Sequence, residues 1–377
     1  MKRIRTECCF IIIIILLVSV YACAEENNGF MPGRIWKDRD GTHINAHGGG
    51  ILIHNDTYYF FGAHMVEGRI GNSAQVGVRC YSSKDLYNWK NEGVALAVSR
   101  DPESDIAQGC ILERPKVIYN EKTKKFVMWF HLELKETQYS SARSGVAISD
   151  KATGPYEFIR SFRPNANHWP QNVTEDQKKN FDSEKAKGKQ FSGGPDPQYN
   201  IIKRDHFGGQ MARDMTLFVD DDKKAYHIYS SEENSTLHIS QLTDDYLAPA
   251  GKYIRIFEQR YMEAPAICKR NGKYYLLMSG CSGWKPNAAR SAVADSIMGP
   301  WKELKNPCVG EGKDLTFGGQ STHILKVSDK KDAYIAMFDI WRPTKPNDGR
   351  YMWLPINFKE EGFEIKYYEK WDLSYFK

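Results

Sequence analysis

Cysteine is scarce in this chain, and its spacing excludes two common ways of stabilising a protein. The 377 residues contain eight cysteines, with no Cys-x-x-Cys pair and no zinc-site spacing. Five of them follow Cys23, namely Cys80, Cys110, Cys268, Cys281 and Cys308. Such a set predicts neither a disulfide framework nor a metal finger. We expect these five side chains to be inert, buried thiols.

The chain also lacks a linker and a strong charge bias. No Gly/Ser-rich or Pro-rich stretch divides it, so we predict a single domain beyond the N-terminal segment. The formal net charge of +5 falls to about +3 without residues 1–22, which does not indicate a nucleic-acid partner. Aromatic residues make up 13% of the chain. Such a ring-rich composition suits a sugar-binding cleft, although most individual rings are expected to be core.

The only long apolar run, residues 10–20, follows three basic residues and is too short for a stable membrane span. Residues 1–22 are therefore predicted to be a secretory signal, and residues 23–34 a tether. If Cys23 is the lipidated first residue, the protein is an outer-membrane or cell-surface lipoprotein, which is the outcome we expect. Ordinary cleavage at the small residues 22–24 would instead give a periplasmic or secreted soluble protein.

A turn of Asn, Asp, Lys or Gly residues followed by an aromatic, β-rich run occurs five times. The runs are 57–61 (TYYFF), 125–130 (KFVMWF), 224–229 (KAYHIY), 273–278 (KYYLLM) and 333–338 (AYIAMF). Each is typical of a β-hairpin. Repeated β units with almost no helical periodicity predict an all-β protein, a five-bladed β-propeller of four antiparallel strands per blade over residues 35–377.

The first strand of each propeller blade lines the central channel, so residues that begin these strands should converge. Those residues are His47, Glu113, Asp214, Glu263 and Gln320. Packing alone would not require three carboxylates, an imidazole and an amide at one level of a channel. The pattern predicts a polar catalytic or binding cluster.

The motifs around these residues resemble glycoside hydrolase family 43, and are most similar to its exo-β-1,3-galactanase and galactosidase branches. They are 45–50 (NAHGGG), 113–120 (ERPKVIYN), 213–215 (RDM), 263–266 (EAPA) and 351–355 (YMWLP). The resemblance implies a five-bladed propeller that cleaves arabinose, xylose or galactose linkages with inversion. It also implies an oligo- or polysaccharide substrate of the β-1,3-galactan type and no required cofactor. We expect a monomer.

The resemblance further implies roles for individual residues. Glu263 corresponds to the general acid, and Asp214 to the aspartate that tunes it. Most of the family carries a catalytic-base aspartate at the start of the first blade, where this chain has residues 45–47 (NAH). The galactan-cleaving branch shares this loss, and in it residues matching Gln320 and Glu113 contact the sugar at the reacting centre. Whether Gln320 or Glu113 orients and activates the attacking water molecule stays open.

Further residues are predicted to contact substrate. His47 is a candidate donor to a sugar hydroxyl, and Glu67 a candidate hydroxyl ligand. Trp284 and Trp341 lie in loops after aromatic runs and are candidate sugar platforms. His323 is a weaker candidate for a structural calcium ion or a water in the central channel, and is expected to be core otherwise.

A long insertion at residues 160–210 interrupts the repeat. Its middle, residues 174–188, has the composition of a short charged helix. Loops of this length inside a compact domain are usually functional or disordered. We expect the insertion to form one wall of the cleft, with Trp169 or His168 near the substrate.

Two other functions remain in competition with a β-1,3-galactosidase. An α-L-arabinofuranosidase or β-xylosidase would keep the same fold and acid, with a pocket too small for a C6 hydroxymethyl group. A non-catalytic glycan-binding surface lipoprotein would account for the missing base, but it would not need both Glu263 and Asp214. The Asn-Asp-Pro-Asn nucleophile stretch of the related fructan hydrolases is absent.

Overall fold

The computed structural model describes residues 27–69, 71–179, 201–283 and 285–377. The predicted signal, Cys23 and Trp284 lie outside these ranges. No helix within them has the length and apolar character needed to cross a bilayer. The five cysteines after Cys23 are all free; four are buried, and Cys281 is partly exposed.

Strands dominate the described residues, and they form five separate sheets. Blade one contains β1 (His47–His54), β2 (Thr57–Met65), β3 (Gln75–Ser83) and β4 (Lys90–Ala97). Blade two contains β5 (Ile111–Asn120), β6 (Lys125–Glu133), β7 (Arg143–Ser149) and β8 (Glu157–Phe162). Blade three contains β9 (Met215–Val219), β10 (Ala225–Ser231), β11 (Thr236–Leu242) and β12 (Pro249–Ile256). Blade four contains β13 (Met262–Arg270), β14 (Lys273–Gly280), β15 (Arg290–Ala294) and β16 (Lys302–Leu304).

Blade five has one strand more than the predicted four. It contains β17 (Cys308–Val309), β18 (Gln320–Lys326), β19 (Tyr334–Ile340), β20 (Arg350–Phe358) and β21 (Phe363–Lys366). The extra strand, β17, pairs in parallel with β21 at the outer edge, whereas the other pairs in all five blades are antiparallel. The five predicted hairpins are confirmed as β1–β2, β5–β6, β9–β10, β13–β14 and β18–β19. The described residues therefore form a five-bladed β-propeller.

Within the described residues, helical segments are few and short. Two of them are α-helices, α1 (Glu175–Lys179) and α2 (Ile201–Arg204). Four 3-10 turns lie at Gly71–Ala74, Lys313–Gly318, Pro346–Asp348 and Leu373–Tyr375. Both α-helices belong to the long connection between blades two and three, so they contribute nothing to the sheet framework.

The hydrophobic core is divided among the interfaces between neighbouring blades. Separate buried clusters lie between blades one and two, two and three, three and four, and four and five. A fifth cluster joins blades one and five and includes the chain ends. Because each sheet has two faces to bury, stacking the blades in a ring covers both.

Aromatic rings from both ends of the chain close the ring of blades. Phe30 forms an isolated bridge with Trp371, and their rings stack with centroids 4.5 Å apart. Trp36 meets Trp353 of β20 at 4.8 Å. Each sheet takes its strands from one stretch of the chain, so the ends join through an isolated backbone bridge and side-chain packing rather than through a shared blade. Phe30, within the predicted tether, is thus part of the closure.

The described residues of the connection between β8 and β9, 163–179 and 201–214, contain most of the predicted insertion and are largely irregular. Of the helix expected at 174–188, the described residues contain α1, and residues 180–188 lie outside the described ranges. Its start has a capping box: the Gln177 N–H donates to Thr174 Oγ1 at 3.2 Å, and Gln177 Oε1 accepts from the Thr174 N–H at 2.9 Å.

Candidate active site

One cleft of about 460 Å³ collects the five residues predicted at the strand openings. His47, Glu113, Asp214, Glu263 and Gln320 all line it. Each comes from the innermost strand of a different blade, or from the residue just before it. The size lies within the usual range of small-molecule sites. Convergence of one polar residue per blade follows from the propeller geometry.

Backbone bulges aim these side chains into the cleft. The pairing register shifts directly after Glu113 and after Glu263, and the next residues, Arg114 and Ala264, both have a φ of +53°. A proline follows in each case, at positions 115 and 265, where a bulge tolerates a residue without an N–H. The repeated Glu-x-Pro sequence therefore marks a bulge that turns the glutamate towards the cleft.

Blade one uses glycines for the same purpose. β1 bulges between His47 and Gly50, and Gly48 has a φ of +65°. A Cβ on Gly49 would lie 2.1 Å from the carbonyl oxygen of Phe61, so only glycine fits there. The Gly48 N–H donates to Asp339 Oδ2. The glycine run thus lets β1 approach its neighbours closely while His47 stays at the rim of the cleft.

Glu263 has the environment of a general acid. Burial and the neighbouring Asp214 carboxylate raise its pKa from 4.5 to about 7. Two groups donate to Oε1: Asn234 Nδ2 at 2.7 Å and the Cys281 thiol at 3.2 Å. The Asn234 amide is oriented by Arg213, whose Nη1 donates to Asn234 Oδ1 at 3.4 Å. A carboxyl group that ionises near neutral pH can hold a proton for transfer.

Asp214 stays ionised beside this acid. Burial opposes its charge, but the Arg114 guanidinium outweighs burial and lowers the pKa of Asp214. Arg114 Nη2 donates to Asp214 Oδ2 at 2.9 Å, and the N–H of Ala264 donates to the same oxygen at 3.1 Å. Two carboxyl groups held in environments that separate their pKa values are typical of acid-base catalysts.

Gln320 is held in one amide orientation. Arg114 Nη2, which can only donate, also bonds to Gln320 Oε1. Gln320 Nε2 donates to Ser279 Oγ at 2.9 Å. The carbonyl oxygen retains a second lone pair and the amide nitrogen a second hydrogen. Gln320 can therefore orient a water molecule from a rigid position.

Glu113 is held at both carboxylate oxygens. The Tyr139 hydroxyl donates to Oε1 at 3.0 Å, and His131 Nδ1 lies 3.0 Å from Oε2. The other ring nitrogen of His131 lies 2.9 Å from Oε1 of Glu133, which is completely buried. Burial would lower the pKa of His131, but the two carboxylates raise it to about 9. His131 is thus an imidazolium at neutral pH.

Glu113, His131 and Asp214 also form a group that could hold a metal ion, with one potential ligand atom each, all within 4.8 Å of one another. Both ring nitrogens of His131, however, already face carboxylates. An imidazolium has no lone pair for a metal. In this geometry the group is an ion-pair cluster.

The remaining predicted residues are divided between the cleft and the surface. Trp341 lines the cleft, and the His47 ring lies against it with centroids 4.5 Å apart. Glu67 is exposed in the turn after β2 and is not among the lining residues. Burial and nearby Lys116 lower the pKa of His323 to about 3, so its imidazole is neutral. The roles given to these residues stay predictions.

The insertion contributes less to the described cleft than expected. The Trp169 ring stacks on His206 at 4.0 Å, with the Lys203 ammonium 5.3 Å from its centroid. His168 is exposed, and neither it nor Trp169 is among the lining residues. Arg213, just after the predicted insertion, does line the cleft.

Sequence reasoning missed several polar residues that hold the cleft together. They are Arg114, His131, Tyr139, Asn234, Ser279 and Asp339, which line it, and Glu133, the buried partner of His131. Arg114 directly follows Glu113 in the 113–120 motif, so its position in the sequence already placed it next to a cleft residue. His131 and Asp339 lie on second strands, opposite Glu113 and Gln320, so pairing each cleft residue with its neighbour on the next strand would have found them.

Comparison with known proteins gives a consistent result. The family described as glycosyl hydrolases family 43 matches residues 174–363. A family 43 β-1,3-galactosidase solved with galactodeoxynojirimycin is 52% identical and superimposes with a TM-score of 0.85, covering 91% of this chain and all of its own. An exo-β-1,3-galactanase from Clostridium thermocellum is 35% identical with a TM-score of 0.73, covering 90% of this chain and 66% of its own.

A curated relative is more distant. A β-D-galactofuranosidase of Aspergillus niger is 28% identical over 129 residues. The match spans 34% of this chain and 37% of the fungal enzyme, little more than a third of that relative's length.

Proposed function

Because the chain belongs to glycosyl hydrolase family 43, we propose that it is an inverting exo-β-1,3-galactosidase acting on galactan or arabinogalactan side chains. One observation carries this proposal: Glu263, with its pKa raised to about 7, lies in the cleft beside an ionised Asp214. A purely glycan-binding protein has no use for a carboxyl group poised in this way. The β-1,3-galactosidase that is 52% identical supports the choice of sugar and linkage.

In the proposed reaction Glu263 donates its proton to the leaving glycosidic oxygen. As that bond breaks, positive charge develops on the anomeric carbon, and a water molecule attacks this carbon from the opposite face of the sugar in the same step, which inverts its configuration. The attacking water loses a proton as its oxygen bonds to the sugar. Asn234 and the Cys281 thiol hold Glu263 Oε1, which limits the directions in which the acid can transfer its proton.

Gln320 is our candidate for the water side. Arg114 and Ser279 hold its amide in one orientation, so it can position water without moving. An amide is a poor base, and removing the proton would require its imidic-acid tautomer. Glu113 has the basicity, but its two oxygens already face Tyr139 and His131. Glu113 is better suited to accept a sugar hydroxyl.

The first experiment is to incubate the protein with β-1,3-galactobiose, an aryl α-arabinofuranoside and an aryl β-xyloside, and to follow product anomers by proton NMR. Release of α-galactose from the disaccharide is expected. Release of pentose alone would contradict the proposed substrate. If none of the three substrates is cleaved but the protein still binds sugar, a glycan-binding protein would be favoured.

Variants separate the two sides of the reaction. Glu263→Gln should abolish turnover of the disaccharide, because no proton reaches the leaving group, while galactose affinity stays within a few-fold. Gln320→Ala and Glu113→Ala are then compared with and without azide. Azide rescue of Gln320→Ala alone is expected, and rescue of Glu113→Ala alone would move the water-side role to Glu113.

We also propose that the protein is exported as a lipoprotein through Cys23. Support comes from the basic, apolar and small-residue order of residues 1–23, followed by the acidic pair at 25–26. The full-length protein should partition into the membrane fraction and incorporate labelled palmitate. A Cys23→Ala variant that still does both would contradict this.

A further inference from the structure

A row of buried and half-buried charges of alternating sign leads from the cleft into the protein. It begins at Glu113, whose Oε2 faces His131 Nδ1 at 3.0 Å. His131 Nε2 faces Glu133 at 2.9 Å, and the second oxygen of Glu133 accepts the backbone N–H groups of residues 141 and 142 at 2.7 and 2.9 Å. His131 is 1% exposed and Glu133 0%. The proposed sugar ligand Glu113 is therefore the cleft end of a buried ion-pair system.

The row continues to the inserted segment. Arg213 Nε lies 4.0 Å from Glu133, and Arg213 Nη2 lies 3.4 Å from Glu233. Glu233 pairs with Arg204 at 3.1 Å, and Arg204 with Asp205 at 2.7 Å. Arg204 is the last residue of α2, which belongs to the insertion. Seven charges, negative and positive in turn, thus join Asp205 to Glu113; we call this the charge row.

Stability is a poor explanation for such a row. Removing charges from water is unfavourable, and buried ion pairs are often no more stabilising than apolar side chains of the same volume. The row has a different physical consequence, since each member fixes the position of the next. At its end, His131 and the Tyr139 hydroxyl hold both oxygens of Glu113 and leave little freedom for rotation.

Resting on the proposed function, we propose that His131 and Glu133 are positioning residues that act through Glu113, and that the insertion supports them through Arg204 and Arg213. His131 reaches the edge of the cleft, and its two ring nitrogens lie 3.0 Å from Glu113 and 2.9 Å from Glu133. Its charge and geometry hold the Glu113 carboxylate where a sugar hydroxyl can donate to it. Small displacements of such a group are expected to reduce catalysis strongly.

A double-mutant cycle tests this. His131→Gln, Glu113→Gln and the double variant are compared for kcat and KM on β-1,3-galactobiose. We expect His131→Gln to lower kcat/KM by about 10- to 100-fold. The double variant should be no worse than Glu113→Gln alone, because His131 acts only through Glu113. Losses that multiply, or a His131→Gln variant within about threefold of wild type, would overturn the proposal.

Two further variants guard against misfolding. Glu133→Gln keeps the shape and an acceptor for the backbone N–H groups, and it should give a smaller loss that also vanishes on the Glu113→Gln background. His227→Gln is the matched control: a fully buried histidine of β10 that does not line the cleft. It should reduce stability but leave kcat/KM near wild type. If His227→Gln lowers kcat/KM as much as His131→Gln does, both losses would reflect general destabilisation, and the proposal would be overturned.

The same cycle is run on the affinity for galactodeoxynojirimycin, measured by calorimetry. If the wild type does not cleave β-1,3-galactobiose, the proposed substrate fails, while the coupling in iminosugar affinity still tests the charge row. Coupling between His131 and Glu113 in affinity is expected. Independent effects there would contradict the positioning role.

Discussion

At the scale of single residues, two neighbours act on the Glu263 proton in opposite directions. The Asp214 carboxylate raises the pKa of Glu263, after burial itself, because a second negative charge close by is unfavourable. The Cys281 thiol lowers it, because the thiol donates a hydrogen bond that favours the carboxylate. Each can be removed by one substitution, which gives a pair of predictions of opposite sign.

Asp214→Asn should move the alkaline limb of the kcat/KM profile to lower pH, by about one unit. Removing the negative charge makes Glu263 easier to ionise, so its protonated form is lost at a lower pH than in the wild type. The profile is measured on β-1,3-galactobiose between pH 4 and 9. A limb that does not move would defeat the assignment of Asp214 as the tuning residue.

Cys281→Ala should move the same limb to higher pH, by a fraction of a unit. Without the thiol, the Glu263 carboxylate loses one of two donors, and Asn234 alone remains on Oε1. Cys308→Ala, a buried and free cysteine in blade five, is the control and should leave the limb in place. A shift of Cys281→Ala towards lower pH would contradict the hydrogen-bond account.

At the scale of elements, the turn after β10 shows how the fold bears local strain for the site. Glu232, Glu233 and Asn234 have φ values of 50°, 57° and 62° in succession, without a glycine. Such residues are each unfavourable by about 1 kcal/mol or more. Arg255 and His238 hold Glu232 at 2.6 and 2.8 Å. The strained turn is thereby fixed, and it presents Asn234 to the acid.

The hairpin of β5 and β6 carries a pH-dependent stabilisation through His131. Its pKa is about 9 in the folded protein against 6.5 ordinarily, because Glu113 and Glu133 outweigh burial; Asp214 also lies near it, and Arg213 lies 4.0 Å from Glu133. A raised pKa stabilises the folded state fully below pH 6.5, and this is lost as pH rises through 9. At about 1.4 kcal/mol per unit, a shift from 6.5 to about 9 corresponds to at most about 3.5 kcal/mol.

His131→Gln should therefore differ most from wild type below pH 6.5 and least above pH 9. The measurement is the free energy of unfolding in urea at pH 6 and pH 9.5. Only the difference in unfolding free energy between the two proteins is informative, because other groups also titrate in this range. Buried Lys116, whose pKa is lowered to about 7, makes both proteins more stable as pH rises above 7. A difference that is constant with pH would show that His131 is neutral in the folded state.

At the scale of the whole molecule, ring closure depends on packing between the chain ends. Trp371→Ala should lower the free energy of unfolding by about 3–5 kcal/mol. The substitution removes a buried ring that contacts Phe30, Tyr375 and Phe376 in the cluster between blades one and five. KM should stay near wild type, since none of these residues lines the cleft. Tyr375→Ala, 39% exposed in wild type, is the control and should lose much less. Equal losses would argue against this account of closure.

The sequence by itself was sufficient for the repeat, the blade count and the five cleft residues. A hairpin is a local structure, so turn and strand composition predict it, and in a propeller equivalent positions converge by symmetry. Glu113, Asp214, Glu263, Gln320 and His47 could therefore be found from their places in the repeat. The same reasoning could not place Trp169, whose segment does not follow the repeat.

Only the tertiary structure decided which charges oppose each other and how the ring closes. The charge row joins residues from 113 to 233 that have no common spacing, and its sign pattern appears only when blades two and three are packed side by side. The pKa values of Glu263 and His131 likewise depend on burial and on neighbours up to 149 positions away in sequence, the distance from Arg114 to Glu263. Composition and periodicity report local preference, whereas these properties arise from distances between segments that are brought together by folding.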